Sequence, residues 1–183
     1  MSNQSEARAP TRYHPLLVSL HWVLAILVIA AWMIGTFWLK PLPNSSPDKI
    51  LVLRGHMIAG GLILILMTLR LAVRIVTRHP PLVTTGYASL DRLAPLLHWA
   101  LYILVLTMAG SGIAMSVMAH LPDVVFRGSG TLPANFDAFP PRAVHGLGAK
   151  LLLATVGLHV AAALYHQLLR RDGLWSRMWF GSR

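Results

Sequence analysis

The chain has 183 residues, of which 55% are hydrophobic and 12% charged, and its mean hydropathy is +0.59. Because a soluble domain carries about a quarter charged residues, this composition excludes an ordinary soluble protein. The net charge is +10 and there is no cysteine, so disulfides, iron–sulfur clusters and thiolate-ligated haem are excluded.

Four apolar segments follow one another along the chain, each long enough to cross a bilayer as a helix. They run roughly over residues 15–39, 48–77, 92–118 and 142–169. The remaining residues are too few for a sizeable soluble domain. We therefore predict an all-α integral membrane protein, a four-helix bundle that forms one domain over residues 1–183.

The first segment begins at Pro15, which suits the first turn of a helix because its missing N–H has no helical partner there. It carries His21 close to this end, and a short proline-rich loop follows it. Ser46, Pro47 and Asp48 then predict the start of the second helix, with a serine cap, proline at the first position and an acid in the first turn.

The second segment carries a histidine near its start and arginines near its end. The histidine is His56. Arg70, Arg74 and Arg78 recur every four residues, so they share one face of the predicted helix. A His-Pro-Pro sequence ends this helix, and residues 82–90 form a predicted loop.

The third segment carries His98 near its start and a run of small residues at 109–114. Small residues permit close approach of another helix or of a flat ligand. The longest loop follows at 120–142, and we expect it to face outward, away from the cytoplasm.

The fourth segment carries three histidines, His145, His159 and His166. A histidine inside lipid is costly, so each is a candidate site residue. His145 and His159 are fourteen residues apart, which places them roughly 40° apart around a helix and about 21 Å apart along it. Both rings therefore leave one face of the helix, one ring in each leaflet.

The basic residues divide unevenly between the two sides of a four-crossing topology. Ten of the 16 lie on the side of the termini: Arg8, Arg12, Arg70, Arg74, Arg78, Arg92, Arg170, Arg171, Arg177 and Arg183. Six lie on the other side: Lys40, Lys49, Arg54, Arg127, Arg142 and Lys150. This asymmetry predicts that both termini are cytoplasmic, and it explains the positive charge without nucleic acid.

Estimated depths pair four of the histidines across the bundle. His21 and His159 lie at a similar depth on the cytoplasmic side, and His56 and His145 lie at a similar depth on the other side. Each pair can hold one haem between two imidazoles, which leaves no open position on the iron and suits electron transfer. We therefore predict two b-type haems stacked across the membrane.

The same residues admit other interpretations. A membrane histidine also serves as a helix–helix hydrogen-bonding residue or lines a pore, and zinc accepts histidine ligands, although neither pair has a carboxylate nearby. His166 rivals His159 as the ligand of the inner haem, and His98 lines that site rather than binding iron. Arg70 or Arg74 binds a haem propionate, or these arginines only orient the chain.

Local motifs resemble those of the bacterial dihaem cytochromes b561, which group with the b-type cytochrome subunits of nickel–iron hydrogenases. The motifs are L-H-W at 20–22, H-x-x-x-G at 56–60, R-L-x-x-R at 70–74, L-H-x-x-x-Y at 97–102 and G-L-H-x-A-A-A-L-x-H at 157–166. The resemblance covers nearly the whole chain. It implies that His21 and His159 ligate the inner haem, and that His56 and His145 ligate the outer one, in agreement with the depths.

The resemblance also implies a location and an activity. A member of this family lies in the bacterial inner membrane, oxidises periplasmic superoxide and passes the electron to ubiquinone. The six basic residues on the periplasmic side would attract the superoxide anion. A ubiquinone site beside the inner haem would lie near Arg74, His98 or His166. The expected partners are superoxide, ubiquinone and membrane lipid.

Two other functions fit the same pattern. A non-catalytic cytochrome b subunit would use the haem pairs to link a redox protein partner, a periplasmic dehydrogenase or hydrogenase, to the quinone pool, although the short loops offer little docking surface. A haem-free transporter or channel would use the histidines to line a pore, but the chain lacks the repeat symmetry that is common in transporters.

Overall fold

The computed structural model describes residues 10–81 and 87–181. This part of the chain is helical, with no strand. Arg8 and Arg183, which enter the charge asymmetry, and residues 82–86 of the predicted loop lie outside the described residues.

Within the described residues, four helices are long and apolar enough to cross a membrane, which confirms the predicted fold class. These spans are Pro15–Leu39, Pro47–Val76, Asp91–Met118 and Pro140–Arg170, close to the predicted bounds. The helices in chain order are α1 Pro15–Met33, α2 Pro47–Val76, α3 Ala88–Met118, α4 Leu121–Arg127, α5 Pro140–Leu164 and α6 Leu174–Arg177. Two π-helical turns extend α1 over Ile34–Leu39 and α5 over Tyr165–Arg170.

Prolines lie in the first turn of α1, α2 and α5, where a missing N–H leaves no helical acceptor unpaired. Pro47 and Asp48 open α2 as predicted. Ser46 occupies the capping position, but its side chain makes no capping hydrogen bond, so the predicted serine cap is wrong in that respect. α3 begins earlier than predicted, at Ala88, and continues through Pro95.

The two ends of the bundle are distinguished by the segments that meet there. At the terminal end, where residues 10–14 and 171–181 lie, the Tyr13 N–H donates to the Arg177 carbonyl at 3.1 Å, and Arg177 donates to the Pro81 carbonyl at 2.6 Å. At the loop end, Asn44 donates to the Pro133 carbonyl at 2.7 Å. The helices therefore alternate in direction.

All four spanning helices contribute to one apolar core between these ends. Its buried side chains are Leu24, Ile63, Met67, Tyr102, Val105 and Leu152. Many large apolar side chains instead face outward, such as Ile65 and Ile103, which are 66% and 61% exposed. An apolar outer surface is what a lipid environment requires.

The short helix α4, which the sequence did not predict, packs over the loop end. Leu121 and Val125 form a small buried cluster with Leu53 of α2. Arg54 strengthens this contact, since its Nε and Nη2 atoms donate to the Val125 carbonyl at 2.9 and 2.6 Å. His120 precedes α4 with a φ of 50°, a left-handed conformation that reverses the chain after α3.

Candidate functional site

Two pairs of histidine rings meet inside the bundle, and both pairs are those predicted from depth. The loop-end pair joins α2 to α5, with the rings of His56 and His145 centred 6.2 Å apart at an interplanar angle of 74°. The terminal-end pair joins α1 to α5, with the rings of His21 and His159 centred 6.1 Å apart at 69°. Helix α5 thus supplies one ring to each pair.

The spacing of each pair fits one metal ion held between two imidazoles. A metal–imidazole bond is about 2 Å long and the ring centre lies roughly 1 Å behind the nitrogen, so two axial rings have centres about 6 Å apart. An iron held in this way takes its other ligands from a macrocycle. Among the described residues, no group of three or more histidine or carboxylate side chains is arranged to hold a bare ion. The pairs therefore suit haem better than zinc.

A glycine lies against each histidine of the loop-end pair. A Cβ atom at Gly35 would come within 3.4 Å of Cε1 of His56, and one at Gly112 would come within 3.4 Å of Cε1 of His145. Side chains much larger than a methyl group would displace these rings. At Gly60, one turn after His56, a Cβ atom would meet nothing within 4 Å, which leaves room for a flat ligand beside the ring.

The ring nitrogens of the loop-end pair differ in their partners. Nδ1 of His145 lies 3.0 Å from the Ser111 hydroxyl on α3. Nδ1 of His56 is buried with no hydrogen-bond partner in the structure. Buried polar atoms are nearly always paired, so an unpaired one in a candidate site is itself a functional signal.

His98 is the third ring at the terminal-end pair. Its centroid lies 5.3 Å from that of His159, and its Nδ1 lies 2.8 Å from the Ala94 carbonyl one turn earlier. The separation is shorter than the roughly 6 Å that two metal–nitrogen bonds require. The separation of the His21 and His159 rings would therefore suit a shared iron, and His98 lies beside this pair.

Arg70 turns into the bundle instead of toward the membrane surface. Its Nη1 donates to the Leu17 carbonyl of α1 at 2.6 Å, and its guanidinium carbon lies 6.0 Å from the ring centre of Tyr102. The Tyr102 hydroxyl is buried without a partner. Arg74 is half-buried one turn closer to the terminal end. Two arginines in this position suit an anionic group such as a haem propionate.

His166 lies outside both ring pairs, at the terminal end. Its Nδ1 is 2.5 Å from a carboxylate oxygen of Asp172, and the Arg170 Nε is 3.6 Å from the same oxygen. The side chains of His166 and Asp172 are 13% and 19% exposed. The structure thus gives His166 an acidic partner, and His159 is the ring that faces His21.

The turn after α5 brings Asp172 back toward His166. Arg171 and Gly173 have φ values of 53° and 73°, left-handed conformations that reverse the chain on either side of the aspartate. Although burial raises the pKa of Asp172, hydrogen bonds from His166 and from the Leu174 N–H hold that pKa below its ordinary value. The carboxylate is therefore ionised at neutral pH.

A model of the prokaryotic cytochrome b561 family matches residues 12–181. The chain belongs to the prokaryotic cytochrome b561 family. It is 30% identical over 173 residues to a protein of Yersinia pestis named probable superoxide oxidase CybB, which covers 91% of this chain and 95% of that protein. It is 26% identical over 185 residues to cytochrome b561 homolog 2 of Escherichia coli strain K12, which covers 95% of this chain and 94% of that protein.

Membership of the prokaryotic cytochrome b561 family implies a membrane protein of electron transport that binds haem b. The ring spacings and the glycines beside the loop-end pair fit that group. His56 and His145 would hold a haem at the loop end, and His21 and His159 would hold one at the terminal end.

Several contacts of this cytochrome had no clear signal in the sequence. Gly35 and Tyr102 stand in apolar segments without a distinguishing pattern, although Tyr102 falls within a quoted motif. Ser111 belongs to the small-residue run at 109–114, a pattern that indicates close approach of a helix or a flat ligand but no hydrogen bond to a histidine. Asp172 follows two arginines and precedes a glycine, a composition typical of a turn. The sequence did not predict its contact with His166.

Proposed function

We propose that this cytochrome carries electrons across the bacterial inner membrane through two b haems, from periplasmic superoxide to ubiquinone. The observation that supports this is the presence of two iron-compatible imidazole pairs toward opposite ends of one bundle. His145 and His159 are about 21 Å apart along α5, so the pairs together reach across most of a hydrocarbon core about 30 Å thick.

The four paired histidines and the core between them perform distinct tasks. When bound, haem b supplies a one-electron iron(III)/iron(II) couple at each pair. His21 with His159, and His56 with His145, would each supply two imidazoles to one haem, an arrangement that favours electron transfer over oxygen binding. The apolar core excludes water between the pairs. Two superoxide ions yield two oxygen molecules and two electrons, and ubiquinone takes up two electrons and two protons to give ubiquinol.

In the proposed orientation, the loop end faces the periplasm and presents a positive field to superoxide. Two of the six basic residues on this side pair with carboxylates, Arg127 with Asp123 and Arg142 with Asp137. The other four have no carboxylate partner among the described residues: Lys40, Lys49, Arg54 and Lys150. A net positive mouth raises the association rate of an anion more than its affinity.

The terminal end supplies the groups that a quinone needs. Ubiquinone must receive protons as well as electrons, and His166 is a histidine whose Nδ1–H is held by Asp172. This leaves Nε2 as the nitrogen that exchanges protons. His98, whose ring is centred 5.3 Å from that of His159, and Arg74 would complete the candidate quinone site.

The first test is the haem content of detergent-purified protein, measured by a pyridine haemochrome assay and a reduced-minus-oxidised spectrum. The parent should contain two b haems per chain. His56→Ala and His159→Ala should each contain one. His120→Ala is the matched control, since this histidine is exposed outside both pairs and its loss should leave two haems. A protein without haem would favour a pore.

The second test follows the electrons in the haem-loaded parent. Stopped-flow mixing with superoxide should reduce the haems, and subsequent mixing with a short-chain ubiquinone should reoxidise them. Failure of either step contradicts the proposed reaction. Reduction only by a co-purifying periplasmic dehydrogenase would instead indicate the carrier subunit.

A further inference from the structure

The Ser111 hydroxyl lies between two groups that together define its hydrogen bonding. Ser111 is 8% exposed on α3, and its Oγ is 3.0 Å from the Met108 carbonyl and 3.0 Å from Nδ1 of His145. A hydroxyl has one proton to donate, and a carbonyl can only accept. The proton of Ser111 therefore goes to Met108, and Oγ presents a lone pair to His145.

This arrangement determines which nitrogen of His145 carries the proton. Because Nδ1 of His145 faces a lone pair of the Ser111 hydroxyl, Nδ1 must be the protonated nitrogen. Nε2 is then the nitrogen with a free lone pair. A metal-bound histidine commonly donates its second N–H to a nearby acceptor, which fixes the tautomer and increases the basicity of the ligand.

We propose that Ser111 is a positioning residue for the loop-end haem. It holds His145 in the tautomer and orientation that bind iron, and it lowers the reduction potential of that haem by making the imidazole a stronger electron donor. This inference rests on the proposed haem at the loop-end pair.

The hydrogen bond makes the two haem sites unequal. Among the described residues, no side-chain hydrogen bond is found at the other three paired histidines, His21, His56 and His159. Ser111 thus acts on one centre only. A lower potential at the loop-end haem favours electron flow toward the terminal end, which is the direction that the proposed function needs.

Ser111→Ala removes the acceptor while leaving the helix intact, and a spectroelectrochemical titration of the purified protein measures the result. We expect two b haems and two titration steps, one of them moved to a higher potential. At the parent's midpoint, the reduced-to-oxidised ratio of that haem should rise about threefold to tenfold, the range of one hydrogen bond. The other step should not move.

Two further variants separate this role from general packing. Ser111→Thr keeps the hydroxyl and should titrate like the parent, and so should Ser116→Ala, which removes a half-buried serine one and a half turns along the same helix. If Ser111→Ala loses one haem, recovery of that haem in Ser111→Thr supports the proposal and continued loss overturns it. Unchanged titration steps in a Ser111→Ala protein with two haems also overturn it. A parent without haem contradicts the proposed haem site instead.

Discussion

The hydrogen-bond partner of the Nδ1 atom distinguishes the histidines of this cytochrome more clearly than their positions in the sequence do. The Nδ1 atoms of His145, His98 and His166 each have a different partner: a hydroxyl, a backbone carbonyl and a carboxylate. Each partner leaves Nε2 as the reactive nitrogen. Only His145 of these three stands at iron-sharing distance from a second ring, so the other two are available for proton exchange.

The carboxylate of Asp172 gives the first prediction at this scale. Asp172→Asn keeps the size of the side chain but removes the carboxylate that accepts the Nδ1–H of His166. We expect ubiquinone to reoxidise the reduced protein about tenfold to a hundredfold more slowly, the contribution typical of a positioned acid–base group. Stopped-flow absorbance at neutral pH measures this rate, and haem content and reduction by superoxide should be unchanged.

The pH dependence of this effect follows from the direction of the Asp172 pKa. Because hydrogen bonds hold the folded pKa below the ordinary value of about 3.9, the interaction is complete above that value and is lost as pH falls through the lower folded pKa. The parent should show no inflection from this carboxylate between about pH 5 and 8. Asp137→Asn is the matched control at the loop end, and an equal slowing there would contradict the assignment.

Among the secondary-structure elements, the π-helical turn after α1 has a direct effect on the loop-end pair. The turn places Gly35 against His56, where a Cβ atom would lie 3.4 Å from Cε1. Gly35→Val adds atoms beyond the Cβ and should displace the ring, so we expect the haem count to fall from two to one. Gly110→Val, at a position with no atom within 4 Å, should retain two haems. Equal haem loss in both variants would mean that the turn has no specific role.

The contact between α2 and α4 provides a second prediction for an element. Arg54→Met removes both donors to the Val125 carbonyl and supplies no new one, so the carbonyl is left buried and unpaired. This should lower the free energy of unfolding by about 1–3 kcal/mol. The matched control, Arg127→Met, breaks only an exposed pair, with side chains 77% and 44% exposed, and should change the free energy of unfolding by less than about 0.5 kcal/mol. Thermal unfolding, followed by tryptophan fluorescence, measures the midpoint temperature of both variants. Equal midpoints would contradict this role for Arg54.

For the whole molecule, the sequence was sufficient to predict the features that depend on a single helix. Hydropathy predicts the spans, and helical arithmetic places His145 and His159 on one face of α5. Contacts between helices were not predictable in the same way, because they depend on how each helix is rotated about its axis. The hydrogen bond between Nδ1 of His145 and the Ser111 hydroxyl is one such contact, and the packing of Gly35 on His56 is another.

Depth estimates need only the order of the crossings, and the rings that they pair lie close together in the structure. From depth, the sequence paired His21 with His159 and gave His98 a place beside that pair, but it could not give the ring separations. Those separations from the His159 ring are 6.1 Å for His21 and 5.3 Å for His98. The local turn that joins Asp172 to His166 also escaped prediction, because it depends on left-handed backbone at Arg171 as well as at a glycine.

The orientation of the whole molecule determines which compartment each haem faces. Basic residues near membrane helices are retained in the cytoplasm because moving them across the bilayer is costly. Eight of those counted on the terminal side are described: Arg12, Arg70, Arg74, Arg78, Arg92, Arg170, Arg171 and Arg177. The terminal end should therefore be cytoplasmic.

Single cysteines test this directly, because the chain has none of its own and every label must come from the introduced thiol. Ser129→Cys lies in the exposed loop after α4, and Ser176→Cys lies in α6. In intact spheroplasts, a membrane-impermeant maleimide should label the Ser129→Cys variant at once. It should label the Ser176→Cys variant only after permeabilisation. The reverse pattern would place the positive loop end in the cytoplasm, and periplasmic superoxide would then have to approach the haem pair at the end that carries His166.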